Sequence, residues 1–151
     1  MIAVIQRIKN ARVVADGVES GSVGNGLYIL LGVEKGDAEI DSTALAEKIS
    51  KLRIFCDEND KMNLSIKDIN GEALIVSNFT LNANYAHGNR PDYLNSAHPD
   101  LANTLYEHFV SEMRKRISKC ETGVFGADMQ TEMLTDGPVT IVMNSSILLR
   151  K

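Results

Sequence analysis

Thr135-Asp136-Gly137-Pro138-Val139-Thr140 lies near the end of a 151-residue chain and runs directly into Ile141-Val142-Met143. An apolar, β-branched strand therefore follows a Gly-Pro pair. Proline has no N–H to give to a ladder, which places Pro138 at the start of that strand or on a sheet edge. An X-Pro bond is also the one peptide bond that adopts the cis form cheaply, and tight turns are where this happens. A turn held that way points its carbonyl oxygens in a fixed direction, one means of reading the shape of a small ligand. By itself the hexapeptide reads as an ordinary strand-opening turn, because Gly-Pro turns are common.

The length suits a single domain spanning residues 1–151, able to bury most of its apolar surface. Hydrophobic residues make up 44% and charged residues 24%, an ordinary composition for a soluble globular chain. No apolar run approaches the ~20 residues of a membrane helix. The start, Met1 to Arg7, lacks the basic lead-in, long apolar core and small-residue cleavage site of a signal peptide, and reads as a first strand. Cys56 and Cys120 form no C-x-x-C pair, so two free thiols in a cytoplasmic protein are expected. The net charge of −4 argues against binding by non-specific phosphate contacts. Any nucleic-acid partner must be met by a local patch. His87, His98 and His108 show no metal-ligand spacing, and neither a metal nor a cofactor is expected.

In chain order, residues 1–8 and Ala11–Ala15 read as two strands, and Asp16-Gly17 as a hairpin turn returning through Val18-Glu19-Ser20. The glycine-rich run 21–26 is not G-x-G-x-x-G, and a strand follows it rather than a helix, which excludes a dinucleotide loop. Leu27–Val33 is apolar throughout, a strand buried on both faces. Residues 37–53 take a helical period, with Asp37 or Asp41 as cap. Asp57–Lys61 is a polar loop without the spacing of a calcium site. After the turn at Asn70-Gly71, the core strand 73–76 runs straight into Ser77-Asn78-Phe79-Thr80-Leu81. Residues 82–98 are polar and irregular, and a long stretch of this kind is usually functional.

Pro99 opens a second helix, whose buried stripe is Ala102, Tyr106, Phe109, Met113 and Ile117. Arg114, Lys115, Arg116 and Lys119 either complement the helix dipole or contact phosphate. Cys120–Phe125 and Met129–Leu134 read as strands. Hairpin signals and the absence of strand–helix–strand alternation predict an α+β fold, mostly antiparallel, with two main helices.

A hydrolase normally offers a nucleophile beside a base, a carboxylate pair or a metal. The sequence advertises none of these. The polar residues at strand ends are Ser77, Asn78, Thr80, Thr135 and Thr140, and a strand-end Thr is more often structural than nucleophilic. If there is catalysis, backbone amides holding an oxyanion and a water are the better candidate.

Four ordered segments then carry a resemblance: Ser77-Asn78-Phe79-Thr80-Leu81, Gly88-Asn89-Arg90-Pro91, Phe125-Gly126-Ala127-Asp128-Met129-Gln130 and Asp136-Gly137-Pro138-Val139-Thr140. Together with Val4-Ile5-Gln6-Arg7, Leu30–Asp37, Leu52–Phe55 and Lys61–Ser65, they resemble the D-aminoacyl-tRNA deacylase family over nearly the whole chain. The resemblance implies a barrel-like core and a homodimer with active sites at the subunit interface. It implies hydrolysis of the ester between a D-amino acid, or glycine mischarged on tRNA(Ala), and the terminal adenosine of tRNA. Gly137-Pro138 would be the family's Gly-cisPro element, inserted into the partner's pocket and flanked by Val139 and Thr140. Ser77, Phe79 and Thr80 would line that pocket and supply backbone donors, with Thr80 a bystander and water the attacking group. Met129 would pack nearby, and Arg90 would lie in the flanking loop. Two positions depart from the family: Asn78 stands where Gln is usual, shortening the amide's reach, and Thr135 stands where Asn is usual.

Two other readings compete with the deacylase. One is a non-catalytic module that binds the end of an RNA, suggested by the basic residues at 114–119. The other is a metal-dependent hydrolase using His87 and the Asp57–Asp60 loop.

Overall fold

The computed structural model describes residues 1–150. Its sheet is built on β1 (Ile2–Ala15), one strand where the sequence predicts two. Ile2–Ile8 pair antiparallel with β3 (Gly26–Gly32), and Ala11–Ala15 pair antiparallel with β2 (Val18–Val23). The opposite edge of β1 pairs along its length with β8 (Met129–Asn144). Lys9-Asn10, which looked like a break, marks a change of phase. Ala3 and Ile5 enter the larger core, whereas Ile8, Ala11 and Val13 enter the smaller one. The ladder to β8 shifts register on either side of Ile8. A bulge lets odd-numbered residues change face without ending the strand. In the same way, the expected strands at 129–134 and 139–143 are parts of one β8.

Two parallel pairs complete the sheet, β3 with β6 (Glu72–Ser77) and β6 with β7 (Cys120–Thr122). The first crossover holds α1 (Glu39–Ser50) and a small hairpin, β4 (Phe55–Cys56) with β5 (Met62–Leu64). The second holds a 3-10 turn (Phe79–Asn82) and α2 (Pro99–Arg114). The expectation of no strand–helix–strand alternation is thereby corrected. Long polar connections diluted the period, and β7 is far shorter than the expected 120–125. Antiparallel pairing still predominates, and the fold is α+β as read. At the two ends of the sheet β2 meets β7, where a Cβ on Gly21 would lie 2.9 Å from the Thr122 carbonyl oxygen. The missing side chain lets the sheet curl into a nearly closed barrel.

The larger core lies between the sheet and the helices, with Leu45 and Ile49 of α1 and Leu105, Phe109 and Met113 of α2 fully buried against Ile5, Ile29 and Ile75. Full burial of such a side chain contributes roughly 1.5–3 kcal/mol. Asp41 accepts the Ala38 N–H at 2.9 Å at the start of α1. Asp37, the other candidate cap, instead accepts from the Met1 ammonium (2.7 Å) and the Glu34 amide (2.6 Å). A short α3 (Ser145–Leu149) follows β8. Both cysteines are free, Cys56 exposed and Cys120 buried.

The basic residues at the end of α2 are occupied within the chain. Lys115 and Arg116 pair with Glu112, Lys119 with Glu72 at 2.9 Å, and Arg114 donates to the Cys120 carbonyl. The hydrogen bond from Lys115, then that from Arg116, lowers the Glu112 pKa from 4.5 to about 2. A carboxylate whose pKa falls on folding stabilises the fold above its unfolded value, and that contribution disappears as pH drops through the folded one. Glu112→Gln should therefore be less stable than the parent at pH 6. The gap should close between about pH 4.5 and 2, read from urea midpoints across that range.

Candidate active site

A cavity of about 880 Å³ opens where the parallel strands β3 and β6 end, beside the start of α2. The carboxyl ends of parallel strands gather ligands, because the chain there leaves the sheet for its crossovers. Residues 77–80 and 125–129 line the cavity, and Tyr28, Leu30 and Val76 join it to the smaller core. Tyr93 and Pro99 come from the loop and helix that follow.

The sequence suggested that the wall at 77–80 is strand, but the strand stops at its first residue. Strand β6 ends at Ser77, and Asn78 caps the 3-10 turn, its Oδ1 accepting the Thr80 N–H at 3.2 Å. Asparagine is among the best residues at such a cap, because a short side chain reaches the amide two or three residues on. The departure at position 78 thus turns the side chain onto its own backbone. The Thr80 hydroxyl donates to the same Oδ1. An amide oxygen cannot serve as a base, so this contact does not activate the hydroxyl. No histidine lines the cavity, and Asp128 is the one carboxylate that does. The Phe79 ring is 57% exposed and meets Tyr93 edge-on at 5.0 Å between centroids. The Phe79 N–H has no acceptor among the described residues. The cavity wall therefore offers the Phe79 N–H and the Ser77 hydroxyl, suited to holding a carbonyl oxygen or the oxyanion it becomes.

Across the cavity, the Tyr28 hydroxyl lies 3.2 Å from Thr131 Oγ1, and burial raises the Tyr28 pKa. Burial also pushes the Cys120 thiol up to about 12, which removes it as a nucleophile. Met129 lines the cavity because Gly123 leaves room behind it: a Cβ on Gly123 would sit 2.5 Å from the Met129 sulfur. No cluster of three or more His, Cys, Asp or Glu placed to hold a metal ion occurs among the described residues. Asp57, proposed for such a cluster, accepts the Asn59 and Lys61 amides and shapes its own turn.

Of the residues singled out from sequence, Ser77, Asn78, Phe79, Thr80 and Met129 come together around the cavity. Gly137, Pro138, Val139, Thr140 and Arg90 are not among its lining residues. The Gly137-Pro138 bond is cis, and both residues are exposed. They sit in the mismatch of the β1–β8 ladder, where Gln6 to Ile8 on β1 face Thr140 to Thr135 on β8, two steps against five. The extra residues bulge outward, and Arg7 holds their base. Its Nε reaches the Asp136 carbonyl at 3.2 Å and Oδ2 at 3.0 Å, and its Nη1 the Ile54 carbonyl at 2.6 Å. Sequence reasoning passed over Arg7. The signal was there, a cation at the third inward position after Ala3 and Ile5.

The fold and cavity define a small α+β protein whose largely apolar pocket carries hydroxyls and a free backbone N–H at one wall. The profile of the D-Tyr-tRNA(Tyr) deacylase family matches residues 4–144. A D-aminoacyl-tRNA deacylase of Thermosipho africanus is 55% identical over 145 residues, covering 96% of this chain and 97% of the relative. One from Sulfurihydrogenibium sp. is 51% identical over 148 residues, covering 98% and 100%. Among solved structures, the c-Myc DNA unwinding element binding protein superposes with a TM-score of 0.89 at 36% identity, over 95% of this chain and 98% of that one. A probable eukaryotic D-amino acid tRNA deacylase at 16% identity shares the fold, with a TM-score of 0.75 over 94% and 97%. The chain belongs to the D-Tyr-tRNA(Tyr) deacylase family, whose members are ester-bond hydrolases.

Arg7→Ala should cost about 3 kcal/mol or more in urea unfolding, since it leaves the Asp136 carboxylate and two carbonyls without their buried partner. Arg7→Lys should recover only part, lacking the planar fork. Gly123→Ala should fold, because a thioether yields easily, but it should push Met129 into the cavity. It is expected to raise KM for the ester substrate more than it lowers kcat, with the double variant Gly123→Ala, Met129→Ala returning KM toward the parent value.

Proposed function

We propose that this chain hydrolyses the ester between a D-amino acid and the 3′-terminal adenosine of tRNA, releasing the free amino acid and the tRNA. The observation that carries the reading is a cavity with a free backbone donor at Phe79 but without a nucleophile–base pair, in a chain whose family members cleave such esters. The ester carbonyl sits against residues 77–80, with the Phe79 N–H facing the developing oxyanion and Ser77 beside it. Water adds to the carbonyl carbon, and the bond from that carbon to the ribose oxygen breaks. The ribose oxygen leaves as a hydroxyl, its proton coming from water through the neighbouring 2′-hydroxyl. Thr80 is a positioning residue in this scheme, because its hydroxyl is already donated to Asn78.

The protein acts as a cytoplasmic homodimer, each chain one catalytic domain completed by its partner. Gly137-Pro138 stands exposed on β8 and outside its own chain's cavity, while Leu134 and Val142 on the same strand are 57% and 69% exposed. Both features suit a strand that docks on a second copy and inserts its bulge into the partner's cavity. Carbonyls of a rigid bulge, flanked by Val139 and Thr140, would accept from the substrate's α-amino group and leave no room for an L side chain. Glycine has no side chain to clash, so glycyl-tRNA would be cleaved too. Among the described residues, no helix is long and apolar enough to cross a membrane.

Purified protein should cleave D-Tyr-tRNA and spare L-Tyr-tRNA; equal cleavage of both, or of neither, would sink the reading. Thr80→Ala should keep activity within about tenfold of the parent, against the ~10⁴-fold or greater loss expected for a missing nucleophile.

A further inference from the structure

Between Thr80 and Tyr93, both at the cavity, the chain forms a closed finger. Asn84 and Asp92 exchange backbone hydrogen bonds at 2.8 and 2.9 Å, and Asn84 Nδ2 donates to Asp92 Oδ2 at 3.0 Å. The remaining oxygens of the same two side chains accept the Ala86 and Leu94 amides, at 3.2 and 3.1 Å. The root is thus stapled, while every residue from Tyr85 to Pro91 is exposed. The exposed segment holds an aromatic ring, a histidine and an arginine, and no carboxylate. Tyr85 is 80% exposed, and Arg90 and His87 make no ion pair among the described residues.

The chain is acidic overall, with a net charge of −4. Its obvious basic cluster is paired in part with Glu112 and Glu72 and begins at the far end of α2, about 22 Å along the helix from the cavity-lining Pro99. Lys9 is paired with Asp136, and Arg12 with Glu132 and Glu19. Arg90 on the finger and Lys35 make no ion pair among the described residues. The Lys35 amide is bonded to the Asn95 carbonyl, just past the finger. An exposed ring and an unpaired guanidinium on one short segment, with no acid between them in the chain, suit a single strand of nucleic acid. Bases stack on the ring in any sequence, and the cation meets a phosphate.

We propose that the finger, residues 84–92, is the contact for the single-stranded 3′ end of the substrate RNA. Tyr85 stacks on a base next to the terminal adenosine, Arg90 pairs with a phosphate, and the aminoacyl ester enters the cavity at the finger's root. The inference rests on the deacylase reading for the identity of the RNA, and its test separates the two. The probe is a labelled single-stranded RNA ending in CCA, titrated with the parent protein, Tyr85→Ala and Arg90→Ala, alongside hydrolysis of D-Tyr-tRNA and of D-tyrosyl-adenosine.

Tyr85→Ala should weaken RNA binding by about tenfold, the effect of one lost base stack. Arg90→Ala should lower the slope of log affinity against log salt by about 0.7, the value for one phosphate contact on a single strand. The loss on D-Tyr-tRNA should exceed the loss on D-tyrosyl-adenosine by about tenfold for Tyr85→Ala. Finger-dependent RNA binding without hydrolysis of either ester would leave the inference standing and remove the deacylase reading. Hydrolysis with RNA binding unaffected by either substitution would do the reverse. A parent protein that does not bind the RNA, or variants that lose both esters equally, would also overturn the inference.

Discussion

A buried guanidinium in the gap of a β-ladder is the constraint on which the rest depends. Strands β1 and β8 pair along nearly their whole length, yet between Gln6 and Ile8 they disagree by three residues. Such a mismatch leaves backbone carbonyls facing inward without ladder partners, and an unpaired buried carbonyl is costly. Arg7 answers this with one planar group that binds the Asp136 carbonyl and carboxylate and the Ile54 carbonyl. Its donors fit a fixed fork, so the residues beyond it are presented outward in one arrangement. The same bulged region carries β1 from the larger core to the smaller one, and the smaller core supplies the inner end of the cavity. Bulge and pocket are therefore two results of one irregularity.

The pocket itself follows from where the chain turns. Strand β6 cannot continue past Ser77, because Asn78 folds its amide back onto Thr80 and starts a 3-10 turn. That turn leaves the Phe79 N–H without a ladder partner, beside the cavity. Groups fixed in this way need no reorganisation when charge develops on a carbonyl oxygen, which is why backbone donors can carry a reaction without a side-chain triad. On the opposite side, Gly123 yields its volume to the Met129 thioether. A single Cβ there would redraw the cavity wall.

Much of this was legible in the residues. The Asp16-Gly17 hairpin, the doubly buried strand at 27–32, a helix within 37–53 and the Pro99 helix start all appear as read, because each is governed by short-range propensity and periodicity. The parallel pairings of β3, β6 and β7 were not legible. Their signal is a distance between strands separated by long polar connections, and nothing in local periodicity encodes it. The polar residues Lys9-Asn10 and Gly137-Pro138 suggested strand ends, since a bulge and a terminus leave the same trace in an alternating pattern. The basic run at 114–119 offered two readings, and the fold added partners that the linear order did not show, Glu112, Glu72 and the Cys120 carbonyl.

The chain's own chemistry settled the fold class, the two main helices, the family and the residues that meet at 77–80. Apolar period, turn residues and ordered motifs are properties of neighbours along the chain. Tertiary structure alone decided that Gly137-Pro138 stands outside its own chain's cavity, that Arg7 rather than a turn residue holds it there, and that the α2 cations are already occupied. Those outcomes depend on register and on distances across the fold, which a linear order of residues does not contain.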